Sequence, residues 1–296
     1  MKTNRMVVVA LAAAIGNAGL WAQVPEAPMG TALLELRAKA PEKKRESLGT
    51  GFFVTYQNFV FLVTAKHVIW DVKKTNCPLR APNLVCLTHS MPYEAGKKIV
   101  VLEIDLNGAD RARELRKHSD RDVAVLRLLR LHSEKDQQLE FLPHVRPVFA
   151  GVTNVFLGTA EAAYSTRFND ARVGDDVVVA GFPASLGMEN ARQLEPHEPL
   201  LAKSIISGKN PDRKTLIIGL PVYYGNSGGA AWRVTQTGLN TKSFSLVGVM
   251  TELIPFDESE LNKRLGRTNN NWAVSGYSVA EPMDFVIELI EQGGWK

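Results

Sequence analysis

The chain has 296 residues, 45% of them hydrophobic and 22% charged. That is the balance of a soluble globular protein long enough for one large or two ordinary domains, and it excludes a disordered chain, a collagen, a coiled coil and a disulfide-dense miniprotein. The net charge is only +4, and it falls to +2 once Lys2 and Arg5 are set aside. No run of Lys and Arg with interleaved aromatics accompanies it, so no nucleic-acid partner is expected.

Residues 1–22 open with a basic head, Met1 to Arg5. An apolar core follows from Met6 to about Leu20, and Trp21-Ala22 precede the polar Gln23. This order of basic head, apolar middle and small exit residue is that of a cleaved export signal. The core is interrupted by Gly16, Asn17 and Gly19 and falls short of the roughly 20 apolar residues that a spanning helix needs. The mature chain is therefore expected to be exported, periplasmic or secreted, with no stable membrane insertion. In an oxidising compartment Cys77 and Cys86 are expected to pair across the proline-containing loop CPLRAPNLVC. In the chain-entropy model a loop of about ten residues is worth ~2.5–3 kcal/mol.

After the leader, Thr31 to Ala38 is compatible with a helix, and a charged patch runs from Glu42 to Glu46. From Gly49 the pattern becomes one of short β runs. GTGFFVTYQNFVFLVTA (49–65) has strand residues on either side of Gln57-Asn58 and reads as a hairpin. Further runs rich in Val, Ile, Leu and Phe cover 97–104, 122–129, 175–182, 214–220, 230–234 and 244–250. Turn-rich loops separate them, which favours an antiparallel barrel or sandwich over a doubly wound sheet. The strand rhythm weakens between Arg130 and Gly174, and the division expected is a leader over 1–22, a first β domain over 23–150 and a second over 151–296. Met283, Phe285, Val286, Leu289 and Ile290 follow at helical spacing, with Pro282 before them and Gly293-Gly294 after, and predict a terminal amphipathic helix.

The chemistry centres on Tyr224-Gly225-Asn226-Ser227-Gly228-Gly229. A serine between glycines can stand exposed on a sharp turn that a substrate backbone can approach. Its GxSxG spacing also matches the nucleophile elbow of α/β-hydrolases, but in that fold the histidine follows the serine. Here all six histidines, at 67, 89, 118, 132, 144 and 197, precede Ser227, which excludes an α/β-hydrolase esterase. His67 ends the apolar run FLVTAKHVI, where a rigid scaffold could hold an imidazole. The other five lie in polar or proline-flanked sequence without metal spacing and read as surface histidines. A carboxylate must orient the imidazole, and Asp122, at the head of DVAVLRL, is preferred over Asp120 and Asp71.

GTGFFV (49–54), VTAKHV (63–68), DVAVLRL (122–128), VGDDVVVAGFP (173–183), YGNSGG (224–229) and LVGV (246–249), in that order, resemble the trypsin-like serine peptidases, in particular the bacterial DegP/HtrA branch. The resemblance implies an all-β fold of two six-stranded antiparallel barrels with a C-terminal helix and a site in the cleft between them. It implies a serine endopeptidase acting on proteins or peptides without cofactor or metal. Carried over by position, His67 is the general base, Asp122 its orienting partner and Ser227 the nucleophile, with the N–H groups of Gly225 and Ser227 forming the oxyanion hole. The chain departs from its relatives in four ways. Too few residues follow Ser227 for a PDZ domain. Asn226 replaces the aspartate used in zymogen activation. Ala230 replaces a common proline. Gly219 to Tyr224 contain no acid, which points to a small or apolar P1 side chain. The other function class open to the same residues is an inactive trypsin-fold module that binds peptides or proteins. Oligomeric state is not encoded in any of these motifs.

Overall fold

The computed structural model describes residues 8–13, 30–38, 47–89, 99–131, 139–148, 154–183, 195, 197–239, 241–262 and 267–295. His132 and the expected exit of an export signal at Trp21-Ala22 lie outside them. The protein is mostly β, with its strands in two sheets, and it ends in a helix.

The first sheet has 11 strands. In chain order they are β1 (Val8–Ala13), β2 (Ala32–Arg37), β3 (Ser47–Tyr56), β4 (Phe59–Thr64), β5 (Asn83–His89), β6 (Ile99–Asp105), β7 (Leu115–Lys117), β8 (Ala124–Leu131), β9 (Leu139–Phe141), β10 (Val145–Val148) and β11 (Asn154–Glu161). Its main path runs β10-β6-β5-β2-β3-β4-β8-β7. β11 pairs in parallel with β3 on one side and with β1 on the other. The second sheet is a closed six-stranded barrel of β12 (Asp176–Gly181), β13 (Leu200–Asn210), β14 (Thr215–Ile218), β15 (Ala230–Gln236), β16 (Lys242–Asn262) and β17 (Arg267–Pro282), in the order β12-β13-β14-β17-β16-β15. The trypsin-like architecture expected from the motifs is present, its second half as a full barrel and its first as a larger curled sheet.

The β3–β4 hairpin shows why the sequence folds this way. Gln57 takes a left-handed φ of 51° at the turn, and Tyr56 pairs with Phe59. Side chains along a strand alternate between faces. Phe53, Val60 and Leu62 enter the core of the first sheet, whereas Phe52, Val54, Phe61 and Val63 enter a second core shared with Ala230, Trp232, Leu246 and Val249 of the barrel. Strands covered on both faces need apolar residues at successive positions, which is why FFV and FVFLV are unbroken. The same shared core receives the terminal helix (Met283–Gln292) through Met283, Phe285, Val286, Leu289 and Ile290, the residues whose spacing predicted it. A third core fills the barrel with Val177, Ile206, Leu216, Val247 and Ala280 among others.

Two expectations are corrected here. Thr31 to Ala38 is not helical: Ala32–Arg37 is β2, inserted between β3 and β5. Its run ALLELR is buried at five of six positions, and a strand closed in on both faces lacks the alternation that separates it from a helix. The Cys77–Cys86 disulfide is not formed, and both thiols are free. Cys86 is fixed in β5 opposite Leu34 and Leu102, and burial pushes its thiol far up from the ordinary value. Cys77 sits in the surface loop with a left-handed φ of 41°.

Candidate active site

β4 ends at Thr64, and the extended Ala65 leads into α1 (Lys66–Ile69), a single turn of helix. Val68 and Ile69 are buried in the first core and pin this turn, which leaves His67 half-buried at the rim. β8 runs antiparallel to β4 with Ala124 opposite Thr64, so the residues just before β8 arrive beside those just after β4. Asp122 is thereby delivered to His67. Its Oδ2 lies 2.5 Å from Nδ1, and its Oδ1 accepts from the His67 backbone N–H at 2.9 Å. A ring nitrogen facing a carboxylate carries the proton, which leaves Nε2 as the basic face. Asp120, the alternative carboxylate, is turned toward the Ser119 hydroxyl, and Asp71 pairs with Lys74.

The turn that carries Asp122 is itself braced. The Nδ1 of His118 accepts from the backbone N–H groups of Asp120 and Arg121, both at 3.1 Å, and the Lys66 ammonium donates to the carbonyls of His118 and Ser119. The His118 ring meets Phe285 of the terminal helix edge-on at 5.3 Å. His118 is therefore no surface histidine, and neither are His89 and His144, which are buried. His144 donates from Nε2 to the Arg127 carbonyl at 2.9 Å. Loop histidines that cap backbone groups look polar in sequence, and only the tertiary fold shows what they cap.

Ser227 stands on two consecutive β-turns. Asn226 N–H donates to the Tyr223 carbonyl at 3.0 Å, and Gly229 N–H to the Asn226 carbonyl at 2.9 Å. The third residues of these turns, Gly225 and Gly228, have φ of 98° and 87°, while Tyr224 and Ser227 keep negative φ. That is the type II pattern, which needs glycine at its third position. Gly228 is also closely packed: a Cβ there would lie 2.1 Å from the Thr50 carbonyl oxygen. The first sheet grips the turns through Thr50. Its N–H donates to the Ser227 carbonyl at 2.9 Å, its hydroxyl donates to the Gly225 carbonyl at 2.5 Å, and the same oxygen accepts from Phe182 N–H at 3.0 Å. Thr64, three residues before His67, donates to the Thr50 carbonyl at 2.7 Å. Hydrogen bonds through Thr50 thus join the end of β4 to the serine turns. The Ser227 hydroxyl makes no hydrogen bond to His67 in this structure.

Residues 49–238 match the model of the trypsin-like peptidase domain, well over half of the chain. The chain belongs to this family. No curated protein matches it. Among solved structures, the crystal structure of a thermostable serine protease, AL20, from an extremophilic microorganism is similar over 92% of this chain and 100% of that one, with a TM-score of 0.49 and 12% identity.

In this trypsin-like domain the serine turns border an open strand edge. Met250 of β16 exchanges hydrogen bonds with Gly228 and Gly229, and beyond it, among the described residues, β16 pairs with β17 alone. On the paired side of β16, Ser278 of β17 is fully buried, donates to the Leu220 carbonyl at 2.7 Å and accepts from Val222 N–H at 2.8 Å, so it staples the segment leading into the serine turns. Tyr224 is 88% exposed at the mouth. Among the described residues no group of His, Cys, Asp and Glu is placed to hold a metal, and no helix is long and apolar enough to cross a membrane. Nothing in the sequence singles out Thr50, Ser278 or Glu281, and His118 reads there as a surface histidine. For Thr50 the nearest cue was its place between Gly49 and Gly51.

Proposed function

We propose that the chain is an exported serine endopeptidase in which His67, Asp122 and Ser227 form the catalytic triad. The observation that carries this reading is the double contact of Asp122 with His67 inside a trypsin-like peptidase domain whose serine stands on two glycine turns. In the reaction His67 Nε2 takes the Ser227 hydroxyl proton as Oγ attacks the peptide carbonyl. The N–H groups of Gly225 and Ser227 stabilise the resulting oxyanion. His67 then gives the proton to the leaving amine, and an acyl-serine ester remains. Water, activated by the same nitrogen, releases the acid and restores the hydroxyl.

The open edge of β16 after Met250 supports an extended substrate chain laid beside the serine turns. The segment Gly219 to Tyr224 supports a small or apolar P1 side chain, since it carries no acid to pair with Lys or Arg. For the cell, the proposal is that residues 1–22 are an export signal and that the DegP/HtrA branch provides the nearest motif likeness. Removal of the signal would take β1 with it and free the outer edge of β11.

Hydrolysis of an unstructured protein and of a peptide library by the purified chain tests the reading, with Ser227→Ala and His67→Ala beside it. Cleavage by wild type alone, after small or apolar residues, is the expected result. Equal cleavage by all three overturns the triad assignment, and cleavage by none overturns the reading in favour of a silent peptide-binding module.

A further inference from the structure

One titratable group beside the triad has no part in the mechanism above. Glu281 lies at the end of β17, opposite Val249, and is only 7% exposed. Its neighbour Ala280 enters the barrel core, so alternation turns the Glu281 side chain out of the barrel, toward the first sheet. There the Asp122 backbone N–H is directed at its carboxylate. The charged groups facing it are Asp122 and Arg121, from the turn before β8, and Lys66, from α1. Its Oε2 is buried with no hydrogen-bond partner. A carboxylate taken out of water with an oxygen unsatisfied is costly, so a residue of this kind needs a reason to be there.

We infer that Glu281 is a positioning residue for the Asp122–His67 pair: from the last barrel strand it holds the backbone of the turn that carries the orienting carboxylate. The inference rests on the proposed triad and extends it across the two halves of the fold. The Asp122 side chain is committed to His67 at both oxygens, so the placement of its own main chain must come from elsewhere. Burial raises the Glu281 carboxyl above its ordinary value, against the opposing pull of Arg121, the Asp122 N–H and Lys66. Its neutral form leaves Asp122 as the single negative charge next to His67, and a second one arrives as the pH rises through the raised value.

The test compares wild type with Glu281→Gln, which keeps an acceptor oxygen, and Glu281→Leu, which does not. The readouts are kcat and KM on a peptide substrate across pH, thermal unfolding, and the low-field proton resonance of His67 Nδ1–H. Glu281→Leu is expected to lose about tenfold to a hundredfold in kcat with little change in KM, since small displacements of catalytic groups act at that scale. Its low-field resonance should shift or broaden. Glu281→Gln should recover most of the rate and the resonance, while lacking an inflection that wild type shows in its pH profile. A folded Glu281→Leu protein with wild-type kcat and resonance overturns the inference, as does a loss that Gln fails to restore. The resonance reports the His67–Asp122 pair without turnover. If it moves in Glu281→Leu and returns in Glu281→Gln while no variant cleaves peptide, the positioning role stands and the peptidase reading falls.

Discussion

Asp122 holds His67 at two points, the ring Nδ1 at 2.5 Å and the backbone N–H at 2.9 Å, so one carboxylate sets both the position of the histidine and its tautomer. Asp122→Asn replaces an acceptor facing Nδ1 with an amide that can favour the other tautomer. The expected loss in kcat is on the order of 10³- to 10⁴-fold with the fold intact. Asp120→Asn, whose side chain accepts from the Ser119 hydroxyl and does not reach His67, should stay within about twofold. Rates on one peptide substrate, with circular dichroism of both variants, check the pair.

The serine turns should be sensitive to Thr50. Thr50→Val keeps the shape but leaves the Gly225 carbonyl and Phe182 N–H without their buried partner. Leaving such groups unsatisfied costs about 1–3 kcal/mol. Denaturant unfolding should show that loss, with a fall in kcat because the Gly225 peptide is no longer anchored; Thr50→Ser should recover most of both.

Two glycines with similar φ should respond differently to substitution. Gly228→Ala places a Cβ against the Thr50 carbonyl, the Thr64 hydroxyl and the Ala65 N–H, and soluble folded protein is not expected. Gly174 has a φ of 92° but open space around it. Gly174→Ala should fold and lose about 1–2 kcal/mol, the strain of the left-handed backbone alone. Expression yield and melting temperature separate space from strain.

Much of this site was legible because its residues sit at the ends of strongly apolar runs: His67 after FLVTA, Asp122 before VAVLRL, and Ser227 among glycines that only a turn would require. What stayed hidden depends on packing between distant segments. Glu281 precedes a helix in polar-looking sequence, SVAEP, and becomes a buried group only because β17 closes against the turn before β8. His118 reads as one basic residue among several, yet it caps two backbone N–H groups. The paired strands of β16 and β17 beyond Met250 escaped notice because their sequence is largely polar, while β2 read as a helix because both of its faces are covered.

The two thiols offer a check on the compartment argument. With no disulfide, thiol titration of the denatured protein should give two reactive cysteines. In the native protein Cys77, half-buried in its loop, should react first, while Cys86, buried and with its thiol pushed up, should wait for unfolding. Mass spectrometry after alkylation under native and denaturing conditions reads both; a single disulfide-linked species in protein exported by cells would contradict the free-thiol state.

The pH dependence of stability follows from Glu281. Its folded carboxyl lies above the unfolded value, so the folded protein holds a proton that the unfolded chain has already released. Stability therefore falls as the pH rises from the ordinary carboxylate range through the raised value. Glu281→Gln removes that slope and should gain on wild type as the pH rises above the ordinary carboxylate range. Unfolding free energies measured across that rise test the sign, and a gain for Gln that shrinks with rising pH would contradict it.

The most direct measurement for the triad is the covalent labelling of Ser227 by a fluorophosphonate, read as the intact-mass increase and mapped to a peptide. The account predicts one adduct per wild-type chain, on Ser227, strongly slowed in Asp122→Asn and His67→Ala and absent in Ser227→Ala. Labelling elsewhere, or labelling of Ser227 that is indifferent to His67 and Asp122, would contradict it.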